Sequence, residues 1–161
     1  YMSGKHLANR DNWQAAARIV GDGGEIDLVN KLAPHMPPHY EIQLKPPKLR
    51  VYEEGKGIIL DARIRNTITG KSLYIEKKTG NNGGNAHERV YKFLSEGLKR
   101  MVREKYNTVD EPFYLIFSGK TFQEDKYQNE FKVLLEDQQY AVLEPDFKNI
   151  AQVATRIMEI V

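Results

Sequence analysis

From Tyr52 onward the chain changes from a period of 3.6 to a period of two, and no other feature constrains its fold as tightly. Gly57 to Asn66 is a short apolar run that passes into alternation, Asn66 to Gly70 supplies turn residues, and Lys71 to Thr79 is a second β-rich run. Two such runs joined by a short turn predict a β-hairpin. Side chains two apart on a strand share a face, so everything the hairpin carries is sorted onto one side of a sheet or the other.

The rest of the chain is read around that hairpin. Trp13, Ala16, Ala17 and Val20 recur at helical spacing after a cap at Asp11 or Asn12, and Gly21 to Gly24 ends the helix they predict. A second helix is expected from Glu25 to Ala33, with Ile26, Val29 and Leu32 or Ala33 inward, stopped by Pro34, Pro37 and Pro38. The Pro-rich patches at Pro34 to Pro38 and Pro46-Pro47 read as connections. After Gly80 to Gly84, a long helix is expected from Asn85 to Tyr106 with a stripe at Val90, Phe93, Leu94, Leu98 and Met101. Phe113 to Phe117 reads as a buried strand, Tyr127, Phe131, Leu134 and Leu135 mark a helix, and Tyr140 to Leu143 is a short strand. Asp146 is expected to cap a last helix carrying Ile150, Val153, Ala154 and Ile157. The order αα-ββ-α-β-α-β-α predicts an α/β protein, a mixed central β-sheet flanked by helices, and 161 residues suit one domain, 1–161.

Composition excludes more than it identifies. No apolar run approaches the ~20 residues that a bilayer span needs, so no membrane is expected. With no cysteine, thiolate metal sites, thiol nucleophiles and disulfides are ruled out. That, with no signal-like start, fits a cytoplasmic protein. The net charge of +2 is too small to announce a nucleic-acid partner by itself. Between Glu76 and Lys105, however, eight Lys and Arg stand against four Glu. That local excess is enough to matter for binding phosphates.

Two clusters carry chemistry. The hairpin can bring Asp61 beside Glu76 and Lys78, which share a face. Two carboxylates suit a hard cation such as Mg²⁺, which takes one or two carboxylates and completes its shell with water and substrate phosphate. A lysine beside them can steady the charge that builds up in phosphodiester hydrolysis. The competing reading is that Glu76-Lys77-Lys78 only keeps an edge strand soluble. The second cluster is Gly84-Asn85-Ala86-His87-Glu88-Arg89 at the start of the long helix. Asn85, Glu88 and Lys92 fall opposite the apolar stripe, with Arg89 at its shoulder. Asparagine pairs with adenine edges, arginine donates to purine acceptors, and glutamate can accept from an exocyclic amine or hold the arginine. Equally, Asn85 can be an N-cap with Glu88 completing a capping box. His87 is read as a phosphate or structural contact, Glu25 as a possible support for Asp61, and Arg63 and Arg65, on the period of Asp61, as candidates to approach a DNA backbone.

Taken in order, Asp61, Glu76-x-Lys78 and Gly84-Asn85-Ala86-His87-Glu88-Arg89 resemble the PD-(D/E)xK type II restriction endonucleases of the EcoRI/MunI-like family. Asn12-Trp13-Gln14-Ala15, Asn66-Thr67 and Pro112-Phe113 followed by Phe117-x-Gly119 extend the likeness over most of the chain. Leu60 stands where the family signature has proline, which removes a strand-entry restraint but no ligand. The resemblance implies a restriction-endonuclease-like fold in a prokaryotic protein of a restriction system. Asp61, Glu76 and Lys78 would be catalytic, the two carboxylates holding Mg²⁺. Asn85, Ala86, His87, Glu88, Arg89 and Lys92 would meet double-stranded DNA, and a homodimer would cut a palindrome to leave 5′ overhangs. Only Thr79 to Gly83 separate Lys78 from Gly84, shorter than the family's insertion there, so the expected target is AATT or a site containing it. A repair nuclease or junction resolvase of the same core, a DNA-binding module without activity, and a small structural domain remain as alternatives.

Overall fold

The computed structural model describes residues 16–50, 57–81, 86–106, 113–135 and 139–161. Among these, six strands form one mixed sheet in sequence order. They are β1 (Arg18–Val20), β2 (Tyr40–Leu44), β3 (Ala62–Asn66), β4 (Ser72–Thr79), β5 (Phe113–Ser118) and β6 (Tyr140–Val142). β2, β3 and β4 run antiparallel to their neighbours in that group, whereas β1 pairs β2, and β5 pairs both β4 and β6, in parallel. The helices are α1 (Ile26–Leu32), α2 (Glu96–Tyr106), α3 (Asp125–Leu134) and α4 (Ile150–Ile160), with a long 3₁₀ segment over Ala86–Leu94.

The sheet is a wall between two cores. On one side α1 and α4 bring Leu28, Leu32, Val153 and Ile157 against Ile42, Ile64, Leu73, Ile75 and Ile116. On the other, Val90, Phe93, Val102, Phe122 and Phe131 cover Tyr74, Leu115 and Phe117, with the Phe117 and Phe131 rings stacked 4.0 Å apart. Alternation along β4 follows from this, since Leu73 and Ile75 face the first core while Tyr74 faces the second.

The hairpin forms as its period requires, and Asn66 closes it. Buried at the end of β3, its side-chain oxygen accepts from the backbone N–H groups of Ile68 and Thr69, while its Nδ2 donates to the carbonyl of Val161. One residue thus fixes both the turn and the packing of the α4 end against it.

Several expectations are corrected. Arg18–Val20 is a strand, not the end of a helix, because it pairs in register with Glu41–Gln43; the start of that expected helix lies outside the described residues. Between the two proline patches lies a strand, β2, that the expected order of elements lacks. The expected continuous helix from Asn85 to Tyr106 is two elements. Ser95 starts α2 afresh, its hydroxyl accepting the Leu98 N–H at 3.2 Å, as an N-cap does. The buried positions are rephased by that restart, so Val102 is fully buried and Met101 is exposed. Asp146 does not cap α4. It sits at φ 57° in a 3₁₀ turn (Pro145–Phe147), and Asn149 is the residue that precedes the helix.

Asn66→Ala removes the hydrogen bonds of a buried side chain, each worth about 1 kcal/mol. Urea denaturation is expected to show a loss of about 2 kcal/mol, against little change for exposed Thr69→Ala.

Candidate active site

The antiparallel register places Arg63 opposite Tyr74 and Ala62 opposite Ile75, and Asp61, in the bend that leads into β3, comes next to Glu76. Asp61 is tied down in three ways. Its N–H donates to the Ile75 carbonyl at 3.0 Å, its own carbonyl accepts the Lys45 N–H at 3.2 Å, and its Oδ2 accepts the Lys77 N–H at 2.7 Å. The half-buried Glu76 and Asp61 carboxyls share a hydrogen bond. Burial raises the Glu76 pKa to about 8, the hydrogen bond and charge of Asp61 add to the rise, and the ammonium groups of Lys78 and Lys92 oppose it. Asp61, Glu76 and Lys78 are therefore brought together, as their spacing indicates.

Lys92 arrives from the 3₁₀ segment, a contribution that sequence reasoning had assigned only to DNA contact. Side chains three apart eclipse in a 3₁₀ helix. His87, Val90 and Phe93 form the buried row, and Arg89 and Lys92 fall on a second row, both exposed. Glu88 is exposed and Ala86 half-buried against the core. Asn85 lies outside the described residues. His87 is not a surface residue. Its imidazole is surrounded edge-on by Tyr91, Phe122, Tyr127 and Phe131, and its Nε2 lies 3.5 Å from Glu130, which also accepts from the Tyr91 hydroxyl at 2.9 Å. The structure places His87 as a packing residue of the segment that carries Glu88 and Arg89. Its spacing of three to Val90 and again to Phe93 was the available signal.

Glu25 does not reach Asp61 by its side chain. It pairs with Lys77 at 3.0 Å, and Lys77 alternates to the face opposite Glu76 and Lys78. Lys77 thus works twice: its side chain ties β4 to the start of α1, and its N–H turns Asp61 toward Glu76.

The donor set fits a divalent cation. Two oxygen ligands converge while sharing a proton, an arrangement a cation would relieve by replacing that proton. Among the described residues no third Asp, Glu or His joins them to form a larger cage. A site of this kind leaves coordination positions for water and for a substrate oxygen.

A family model for the type II restriction enzyme MunI matches residues 51–143, more than half of the chain and the stretch that holds the hairpin, the carboxylate pair and the 3₁₀ segment. The chain belongs to that family. It is thereby a type II restriction endonuclease, a site-specific deoxyribonuclease. The type II restriction enzyme MunI of Mycoplasma sp is 28% identical over 177 aligned positions, which span 81% of this chain and 88% of that protein. The crystal structure of MunI restriction endonuclease in complex with cognate DNA superposes with a TM-score of 0.64 at 19% identity. That match covers 98% of this chain and 94% of the other, and shows the same fold. No helix among the described residues is long and apolar enough to cross a membrane.

The raised Glu76 has a sign that can be tested. A carboxyl protonated in the folded protein up to about pH 8, against an ordinary value of 4.5, contributes stability that is present below 4.5 and lost as the pH rises through 8. The melting temperature in EDTA is expected to fall across that window, and Glu76→Gln to flatten the fall. Added Mg²⁺ should restore stability at the alkaline end; a profile identical in wild type and variant would contradict the shared proton.

Proposed function

We propose that this enzyme hydrolyses double-stranded DNA at a short palindrome as a cytoplasmic homodimer, using Mg²⁺ held by Asp61 and Glu76. The observation that carries this reading is the pair of facing carboxyls with Lys78 on the same sheet face and Lys92 beside them. Mg²⁺, when bound there, supplies a Lewis acid for the scissile phosphate and lowers the pKa of a coordinated water. The chain's own part is preorganisation. The Lys77 N–H holds Asp61 at a fixed angle, and Glu76 gives up its proton to the medium as the site fills. Lys78 stands where negative charge on the phosphate would grow.

Recognition falls to the end of the 3₁₀ segment. We assign Asn85 and Arg89 to adenine edges in the major groove, Glu88 to holding the reading residues together, Ala86 to close approach and Lys92 to phosphate near the cut. His87 supports them from below through its aromatic surroundings. One carboxylate pair serves one phosphate, so cutting both strands of a two-fold site calls for two subunits under the same symmetry. The short connection from Thr79 to Gly83 supports a compact target, AATT or a site containing it, cut to leave four-nucleotide 5′ overhangs.

Digestion of a sequenced plasmid with Mg²⁺, followed by sequencing of the ends, tests the target. Discrete fragments with 5′-AATT ends are expected; a smear would point to a nuclease that ignores sequence, and other ends would refute the site. Asp61→Ala is expected to lower cleavage at least a thousandfold while binding of the cut site, followed by anisotropy, stays within a few fold.

A further inference from the structure

The basic residues around the hairpin fall into two groups. Arg18 is held by Glu41, and Lys77 by Glu25. Arg63 and Arg65 have no ion pair among the described residues. They lie on β3 on the face that carries Asp61 and Glu76, since Arg63 pairs in register with Tyr74 and Arg65 with Ser72. Glu41 stands opposite Arg65 on β2 but is taken up by Arg18.

Arg63 is the more telling of the two. It is half-buried, its guanidinium lies 5.9 Å from the centre of the Tyr74 ring, and Nη2 reaches the Ser72 hydroxyl at 3.3 Å, longer than a usual N–H to oxygen bond. Its Nε is buried with no acceptor. A guanidinium has five N–H donors, and this one has a single weak neutral acceptor and no carboxylate among the described residues. Holding a charge that way is unfavourable unless an anion completes its shell. Arg63, Arg65 and Gln43 beside Arg63 belong to neither core, and the helices on this side pack on Tyr74, Leu115 and Phe117 instead.

We propose that Arg63 and Arg65 form a track for the DNA backbone leading away from the carboxylate pair along β3. Arg63 holds the phosphate next to the scissile one, and Arg65 a phosphate farther out. Same-face residues on a strand are about 6.6 Å apart, so a backbone entering the site along β3 passes both guanidinium groups in turn. Their geometry selects phosphate oxygens and carries no base readout, so they set register and affinity rather than sequence preference. This inference rests on the endonuclease reading above and adds to it the path of the substrate.

Affinity of the full chain for a fixed duplex, measured by fluorescence anisotropy in EDTA over a salt series, tests it. The variants are R63Q, R63K and R65Q, each compared on a duplex carrying the cut site and on a scrambled one. For every phosphate that a variant no longer neutralises, the slope of log affinity against log salt falls in magnitude by about 0.9. R63Q and R65Q are each expected to lower it by that much, equally on both duplexes, while R63K keeps the wild-type slope. Unchanged slopes in both glutamine variants, or reductions confined to the cut-site duplex, overturn the track. Should R63Q fail to fold, the exposed Arg65 still decides the question through R65Q. A wild type with no salt-dependent DNA binding would remove the proposed hydrolysis of duplex DNA at this site itself. A wild type that binds and cuts while both glutamine variants keep its slope would remove the track alone.

Discussion

Two carboxyls facing each other across an antiparallel pair repel, and the protein keeps them there by fixing one with backbone and leaving the other a proton. Like charges directly opposite on neighbouring strands are ordinarily destabilising. Here Asp61 cannot swing away, because its N–H, its carbonyl and its Oδ2 are each bonded to a different neighbour: Ile75, Lys45 and Lys77. Those neighbours sit on β4 and just past β2, so the site depends on β3 keeping its place between them. The strain is resolved at Glu76, whose carboxyl stays protonated well above its ordinary range. A cation is the natural replacement for that proton, which makes the unfavourable pair useful.

The sheet's position in the molecule follows from the same strand. β4 is antiparallel to β3 on one edge and parallel to β5 on the other, so it joins the hairpin to the half of the fold built from crossover connections. Its inward residues alternate between two cores, and where the cores end, at Glu76 to Lys78, the same alternation sorts function. Glu76 and Lys78 go to the face with the 3₁₀ segment. Lys77 goes to the face with α1, where Glu25 receives it. The two faces then differ in character: the α1 and α4 side is apolar across β2 to β5, while on the other side the helices stop at β4 and leave β3 and β2 with Arg63, Arg65 and Gln43.

How much of this the sequence disclosed depended on whether a segment's periodicity was unambiguous. The hairpin was legible because alternation, turn residues and a second β-rich run agree, and the carboxylate pair followed from the spacing. β1 was not, because three strand residues after an alanine run look like the tail of a helix until a partner strand is known. β2 was hidden by prolines on both sides that drew attention to turns, although Tyr40, Ile42 and Leu44 alternate inward cleanly. Asp146 looked like a cap by residue type, but its left-handed φ puts it in the preceding turn. His87 was left between a phosphate and a structural contact, because an imidazole in a polar string carries no burial signal of its own, and the rings of Tyr91, Tyr127, Phe122 and Phe131 around it show that it packs.

The segment Ala86–Leu94 shows why winding matters to the site. Val90, Phe93 and Leu94 suit an α-helix as well as a 3₁₀ helix, so a pattern that starts at Val90 cannot separate them. Adding His87 does. In an α-helix a spacing of three drifts by about 60° per step, which would carry His87 and Phe93 about 120° apart around the axis. In the 3₁₀ winding they line up and are buried together. Such runs are seldom this long, and the aromatic cluster beneath His87 is what this one has in return for its poorer hydrogen-bond geometry. The same winding aligns Arg89 with Lys92. A row that would spiral off the helix surface instead runs straight, from the residues assigned to base reading to the ammonium group that bears on Glu76. The residues proposed to read bases and the ammonium group beside the carboxyl pair thus share one short element, and the buried histidine sets the line between them.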